Sequence, residues 1–263
     1  METPALPFDF LLSLIDERSA ALRDAVAAAA VSDARVPGCP DWDLRDLVAH
    51  VGAVQRFWAV VVRAGSTTGP PPASELGDRE PTGDLLTWSA ESTELLLSAL
   101  RESAGRADGS GGSLGAGVPA WAWWGDSSAP LTVGAIARHQ VQEAAVHAFD
   151  AQETVGKAEP LPAAVAVDGV AEFLQVGAGS LGAWPHRPAR VAFDAVDGPT
   201  YVLDLSPSGA RLDPAAAGDP VVTVRASASE LVLALYGRVS FDDLLGDGDR
   251  DVLTQLREWS NPD

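Results

Sequence analysis

The hydrophobic pattern of this chain changes period once, near Gly156, and that change divides it into two architectures in succession. Before it, apolar residues return every three or four positions, the spacing that collects them on one face of a helix. Leu11, Leu12, Leu14, Ile15, Leu22, Ala25 and Val26 predict a helix over 8–31. The run VPGCP at 36–40 breaks the pattern, and Asp41 or Asp43 then caps a second helix reaching about residue 64. Its stripe is Leu44, Leu47, Val48, Val51, Val54, Trp58 and Val61. A Gly/Pro-rich connection over 65–83 leads to a third helix, 85–104, with Leu95, Leu96, Leu97 and Leu100 as core residues. A Gly/Ser-rich stretch, 107–117, is expected to be a mobile loop. It runs into Trp121, Trp123 and Trp124, which either wall a pocket or pin the loop to the helices. Thr132 caps a fourth helix. Four helices with one long crossover predict a four-helix bundle over 1–156.

After Gly156 the period shortens towards two. Pro160 and Pro162 open a helix to about residue 176, followed by alternating segments at 191–196, 201–205 and 221–226. Asp197-Gly198 is a hairpin signal between the first two. Ser227 and Ser229 can cap a helix to Tyr236, and 249–259 forms a last one. The expected fold class is therefore α+β in two domains: the bundle, then a smaller α+β domain over 157–263 with an antiparallel sheet.

Charge excludes some partners. The chain has 37 acidic against 18 basic residues, a net charge of −19. Nucleic-acid binding rests on Lys and Arg neutralising phosphates, and anionic membranes attract the same residues, so neither partner is expected. No run approaches the 18 or so apolar residues of a membrane span, and the start lacks a basic, then apolar, signal segment. The expected location is cytoplasmic. Cys39 is alone, so no disulfide and no Cys₄ zinc site forms within one chain. Placed before Pro40 near a helix start, it is either a stabilised thiolate or a small buried residue. No G-x-S-x-G elbow, Walker A motif or GxGxxG fingerprint is present.

Residues 138–152, RHQVQEAAVHAFDAQ, carry the chemistry. Two of the chain's four histidines are here. Glu143 and His147, at i and i+4, project from one helix face towards a common point, which is what a divalent metal needs from a single helix. The same spacing also makes a solvent-facing ion pair. His50 lies about 60° from the centre of the second helix's stripe, so it is a candidate for the bundle interior, as a third ligand or as a satisfied core histidine. Three ligands of N, N, O type would leave a position open for water, a thiolate or a carbonyl oxygen, the pattern of catalytic zinc. Asp150, a turn from His147, can hold its other ring nitrogen. His139 is an extra ligand, a group behind the ligands, or exposed. The arrangement is not the HExxH of metalloproteases.

Three segments carry a family resemblance. CPDWDLRDLVAHVGAVQRFW at 39–58 resembles the CPGW-x-x-x-DLVAHL segment of the mycothiol-dependent maleylpyruvate isomerase family, DinB-like four-helix bundles. RHQVQEAAVHAFDA at 138–151 is similar to that family's HExxxHxxDA segment, and ASASELVLALYGRVSFDDL at 226–244 to its C-terminal, sterol-carrier-like domain. The resemblance implies that His50, Glu143 and His147 bind a divalent metal, usually zinc, and that mycothiol is the cosubstrate. The expected partners are a small-molecule substrate and the thiol, and the expected assembly is a monomer or homodimer. The thiolate would add to a maleylpyruvate-like cis-alkene, the single bond would rotate, and elimination would give the trans isomer. S-transfer to another electrophile, metal-dependent hydrolysis and non-enzymatic binding of a small ligand are the alternatives. Arg238, in the family's aromatic-Gly-Arg, would hold a substrate carboxylate or act as a cation at a helix C-terminus. Gln142 stands where the family commonly has a histidine before the ligand glutamate.

Overall fold

The computed structural model describes residues 5–29, 33–106, 115–212 and 218–260. It divides into two compact units, one built from Leu6–Trp123 and Pro130–Glu159, the other from the chain after Pro160 together with Trp124–Ala129. Most of the Gly/Ser-rich loop expected to be mobile lies outside the described residues.

In the helical unit, α1 (Phe8–Ala27), α2 (Leu44–Ala64), α3 (Leu85–Ala104) and α4 (Val133–Thr154) form the expected bundle. The starts of α2, α3 and α4 are each marked by a side-chain cap. The Asp43 carboxylate accepts from the Arg45 and Asp46 backbone N–H groups, and the Asp46 carboxylate accepts in return from the Asp43 N–H. This capping box satisfies donors that the first helical turn leaves open. Asp84 caps α3 through the Thr87 N–H, and Thr132 caps α4 through the Ala135 N–H. The break at 36–40 is itself structured. It forms a small hairpin of β1 (Arg35–Val36) and β2 (Cys39–Asp43) that delivers the chain straight into the α2 cap. Val36, Leu44, Leu47, Val48 and Val51 are buried with Leu22 of α1 and Ala148 and Ala151 of α4. Helix α2 is long and apolar enough to cross a membrane by length and composition alone, but half of its most apolar window is buried within the structure.

One close approach governs how α2 and α3 pack. A Cβ added to Gly52 of α2 would overlap the indole of Trp88 of α3. Trp88 is 2% exposed, so it has nowhere to retreat. Overpacking of this kind destabilises by about 1–3 kcal/mol, more than the roughly 1 kcal/mol of helix propensity that Ala gains over Gly. Gly52→Ala should therefore lower the urea midpoint; an unchanged or raised midpoint would show that the indole can move.

The second unit contains α5 (Ala163–Gln175), α6 (Ala228–Leu235), α7 (Asp251–Ser260) and a five-stranded sheet. Its strands are β3 (Ala189–Ala195), β4 (Thr200–Ser206), β5 (Gly209–Leu212), β6 (Val222–Ala226) and β7 (Leu245–Gly248), in the order β5-β4-β3-β6-β7. The Asp197-Gly198 signal does mark an antiparallel β3–β4 pairing. The sheet as a whole corrects the antiparallel expectation, because β6 returns on the far side of β3 and pairs with it in parallel. Alternation of side chains marks a strand but says nothing of a partner 30 residues away. The short strands β5 and β7 also escaped the pattern. Ser227 caps α6 with Glu230 in a second capping box. At the other end Gly237, at φ +77°, lets the Arg238 N–H reach back to the Leu233 carbonyl, the left-handed closure of a helix.

Candidate metal centre

Helices α2 and α4 run antiparallel along one seam. His50 of α2 meets Glu143 and His147 of α4, whereas Trp58, two turns on, meets His139, two turns back. At the first of these levels the donors gather. Glu143 Oε1 is 3.0 Å from His50 Nε2 and 3.5 Å from His147 Nε2. One ligand atom from each residue lies within 4.8 Å of the others. Ligands about 2.0–2.1 Å from a tetrahedral zinc stand roughly 3.3 Å apart, so the spacing of these atoms fits such an ion.

The groups behind the triad fix its orientation. His147 Nδ1 donates to Asp150 Oδ2 at 2.8 Å. Asp150 is fully buried, so the proton stays on Nδ1 and Nε2 is left facing Glu143. Burial pushes the Glu143 carboxyl upward, but the His147 charge and hydrogen bonds from both imidazoles outweigh it and hold Glu143 well below the usual carboxylate range. Burial likewise disfavours a charged His147, yet Glu143 and Asp150 raise it to about 9. The metal-free site is thus an imidazolium bracketed by two carboxylates. A cation completes this charge set, and a divalent ion would take the place of the proton.

Two further residues belong to this end of the seam. Trp42 of β2 lays its ring on His50 at 4.5 Å between centroids and reaches His147 at 6.1 Å. The Cys39 thiol points at Asp150 Oδ2 from 3.9 Å. In the sequence Cys39 is only a lone thiol and Trp42 only part of a motif, because the hairpin that carries them to the histidines is invisible to periodicity. Cys39, His147 and Asp150 form a second close group of potential donors.

The other sequence candidates fall elsewhere. Among the described residues His139 is not one of the gathered donors; its ring lies 6.1 Å from Trp58 and 5.7 Å from Trp123. Gln142 is fully buried on α4, about 100° round the helix from Glu143. Trp121 is pinned through its backbone N–H to the Gly65 carbonyl and stacks on Trp58. Trp123 stays 48% exposed, while Trp124 is fully buried and belongs to the other unit. Arg238 is in that unit too, where Nη1 donates to the Tyr236 carbonyl just past α6.

A helical bundle with two imidazoles and a carboxylate gathered on one seam, followed in the chain by a mixed-sheet unit, defines a two-unit α+β class with an open donor set. A family model described as the mycothiol maleylpyruvate isomerase N-terminal domain matches residues 12–152, and one for the corresponding C-terminal domain matches residues 164–255. The chain belongs to the mycothiol maleylpyruvate isomerase family, and so to a family of enzymes. Two solved structures share its fold. A crystal structure of the mycothiol-dependent maleylpyruvate isomerase is 17% identical, with a TM-score of 0.57. A crystal structure of a single histidine-to-alanine mutant of the mycothiol-dependent maleylpyruvate isomerase is 16% identical, with a TM-score of 0.58. Each alignment covers 92% of this chain and 93% of the other. No curated protein matches the chain.

Asp150 gives the site a test that spares the donors. Loss of an outer hydrogen-bond partner of a metal-bound histidine typically weakens metal affinity 10–100-fold. Asp150→Asn should do so here, since an amide can face Nδ1 but no longer favours charge on the ring. A chelator competition assay that returned wild-type affinity would sever Asp150 from the site.

Proposed function

We propose that this protein is a mycothiol-dependent metalloenzyme that isomerises a maleylpyruvate-like compound, with His50, Glu143 and His147 holding a divalent ion, most naturally zinc. The observation that carries the reading is the convergence of Nε2, Nε2 and Oε1 atoms in a chain of this family. A zinc ion held by three protein ligands keeps a position for a thiol sulfur and lowers its pKa, so that it is a thiolate near neutral pH.

The chain's own groups supply the rest. Asp150 holds the His147 Nδ1 proton, which keeps Nε2 available at the site. Glu143 contributes negative charge against both imidazoles, and its side chain is only 20% exposed, so this interaction is little screened by water. Trp42 covers His50 on one side and restrains its ring. The substrate reaction needs only the thiolate: its sulfur adds to one alkene carbon, the resulting single bond rotates, and expulsion of the same sulfur restores the alkene as the trans isomer. The same addition without expulsion is S-conjugation.

The deciding experiment follows the cis-to-trans conversion of maleylpyruvate by purified, metal-loaded protein with and without mycothiol. Turnover only with mycothiol is expected. Equal turnover without any thiol would overturn the reading and point to activated water.

A further inference from the structure

The seam does not end at the donor triad. His139 is one turn before Glu143 on α4, about 6 Å away, and Trp58 is eight residues beyond His50 on α2, about 12 Å away. Between them the rings are continuous. Trp58 stacks on Trp121 at 6.5 Å and 27°, Phe57 meets Trp121 edge-on, and His139 lies edge-on to Trp58 and to Trp123. Core packing accounts for Trp58, which is 3% exposed. It does not account for Trp123, which leaves 48% of its surface in solvent beside a half-buried histidine and is held there by a loop pinned to the end of α2. An indole kept open next to a polar ring, on the same seam as a small-molecule site, suits a ligand with alternating C–H and hydroxyl surface.

We propose that Trp123, with Trp121 and His139, forms a carbohydrate subsite that receives the glucosamine–inositol part of the thiol cosubstrate while its sulfur lies at the donor triad. This rests on the thiol-dependent reading above and adds the part of the site that tells mycothiol from a simple thiol. Mycothiol is an N-acetylcysteine in amide linkage to a sugar pseudodisaccharide, and the amide and cysteine together span about one helical turn or more, the distance from Glu143 to His139. The face of a pyranose or cyclitol ring carries axial C–H groups that pack on an indole, and its hydroxyls can bond the imidazole of His139.

Two measurements test it. In the first, the thiol-free glucosaminyl-inositol is titrated into metal-free protein and tryptophan fluorescence is followed. Saturable change is expected in the wild type, weakened at least tenfold in Trp123→Ala and largely kept in Trp123→Phe. In the second, the KM for mycothiol is compared with that for N-acetylcysteine. The wild type should favour mycothiol at least tenfold, and Trp123→Ala should bring that ratio towards one with its metal content intact. No glycoside binding by the wild type, or equal binding and equal ratio in Trp123→Ala, would overturn the subsite. The two readings separate cleanly: turnover that depends on thiol but not on Trp123 removes the subsite alone, whereas saturable glycoside binding with thiol-independent turnover removes the proposed reaction alone.

Discussion

Glu143→Ala, purified without added metal, is expected to carry almost none. Glu143 Oε1 is the atom common to both close pairs of the triad, and the two histidines reach each other only as ring neighbours, 5.3 Å between centroids. Removing it leaves two imidazoles, one from each helix, and no negative charge between them. The loss in affinity should exceed the ~100-fold that marks deletion of an outer partner, and His50→Ala should behave alike. The folded protein survives the change for a definite reason. Without the carboxylate His147 loses its largest stabilisation as a cation, so it becomes neutral and keeps its bond to Asp150. Metal analysis beside circular dichroism reads both effects. Wild-type metal content in either variant would remove the triad as a metal centre.

The second large effect is on pH. In the metal-free protein His147 titrates at about 9 in place of 6.5, because Glu143 and Asp150 outweigh burial. A raised histidine stabilises the folded state fully below about pH 6.5, and that stabilisation fades as pH climbs through 9. Two and a half pH units correspond to roughly 3–4 kcal/mol at most. Glu143 works in the opposite sense: held below its ordinary range, it stabilises above about pH 4.5 and ceases to do so as pH falls through its lowered value. The metal-free Tm should therefore decline between pH 6.5 and 9.5. Metal binding must displace the His147 proton, so affinity should rise about tenfold per pH unit below 9, roughly 100-fold from 6.5 to 8.5, and level off above it. A chelator competition corrected for the chelator's own protons measures this. Affinity flat across that window would mean that no proton is displaced, and that His147 is not a ligand.

Trp42 and Gln142 show where legibility stopped. Gln142 stands one residue from a candidate ligand, and a step of one on a helix turns it about 100° away into a fully buried position. Trp42 drew no reading of its own beyond its place in the 39–58 segment, yet its ring lies against His50. The three tryptophans at 121–124 looked equivalent, and the fold gave them three different environments: stacked, half-open and buried. Sequence spacing along a helix ranks neighbours on that helix. It has no term for a hairpin folding over the helix end or for a loop crossing it.

What the sequence by itself determined is the set of local structures and two of the three gathered donors. The 3.6 and 2.0 periods, the Asp43, Thr132 and Ser227 caps and the Asp197-Gly198 turn are all local physics, readable within a few residues. So is the Glu143–His147 pair, because both belong to one turn-spaced face. Only the tertiary structure decided that His50 completes it, 93 residues earlier in the chain, and that β6 lies parallel to β3. Those are choices among distant partners. They are made by packing apolar stripes against each other, where a Gly52 that admits Trp88 counts for as much as any donor.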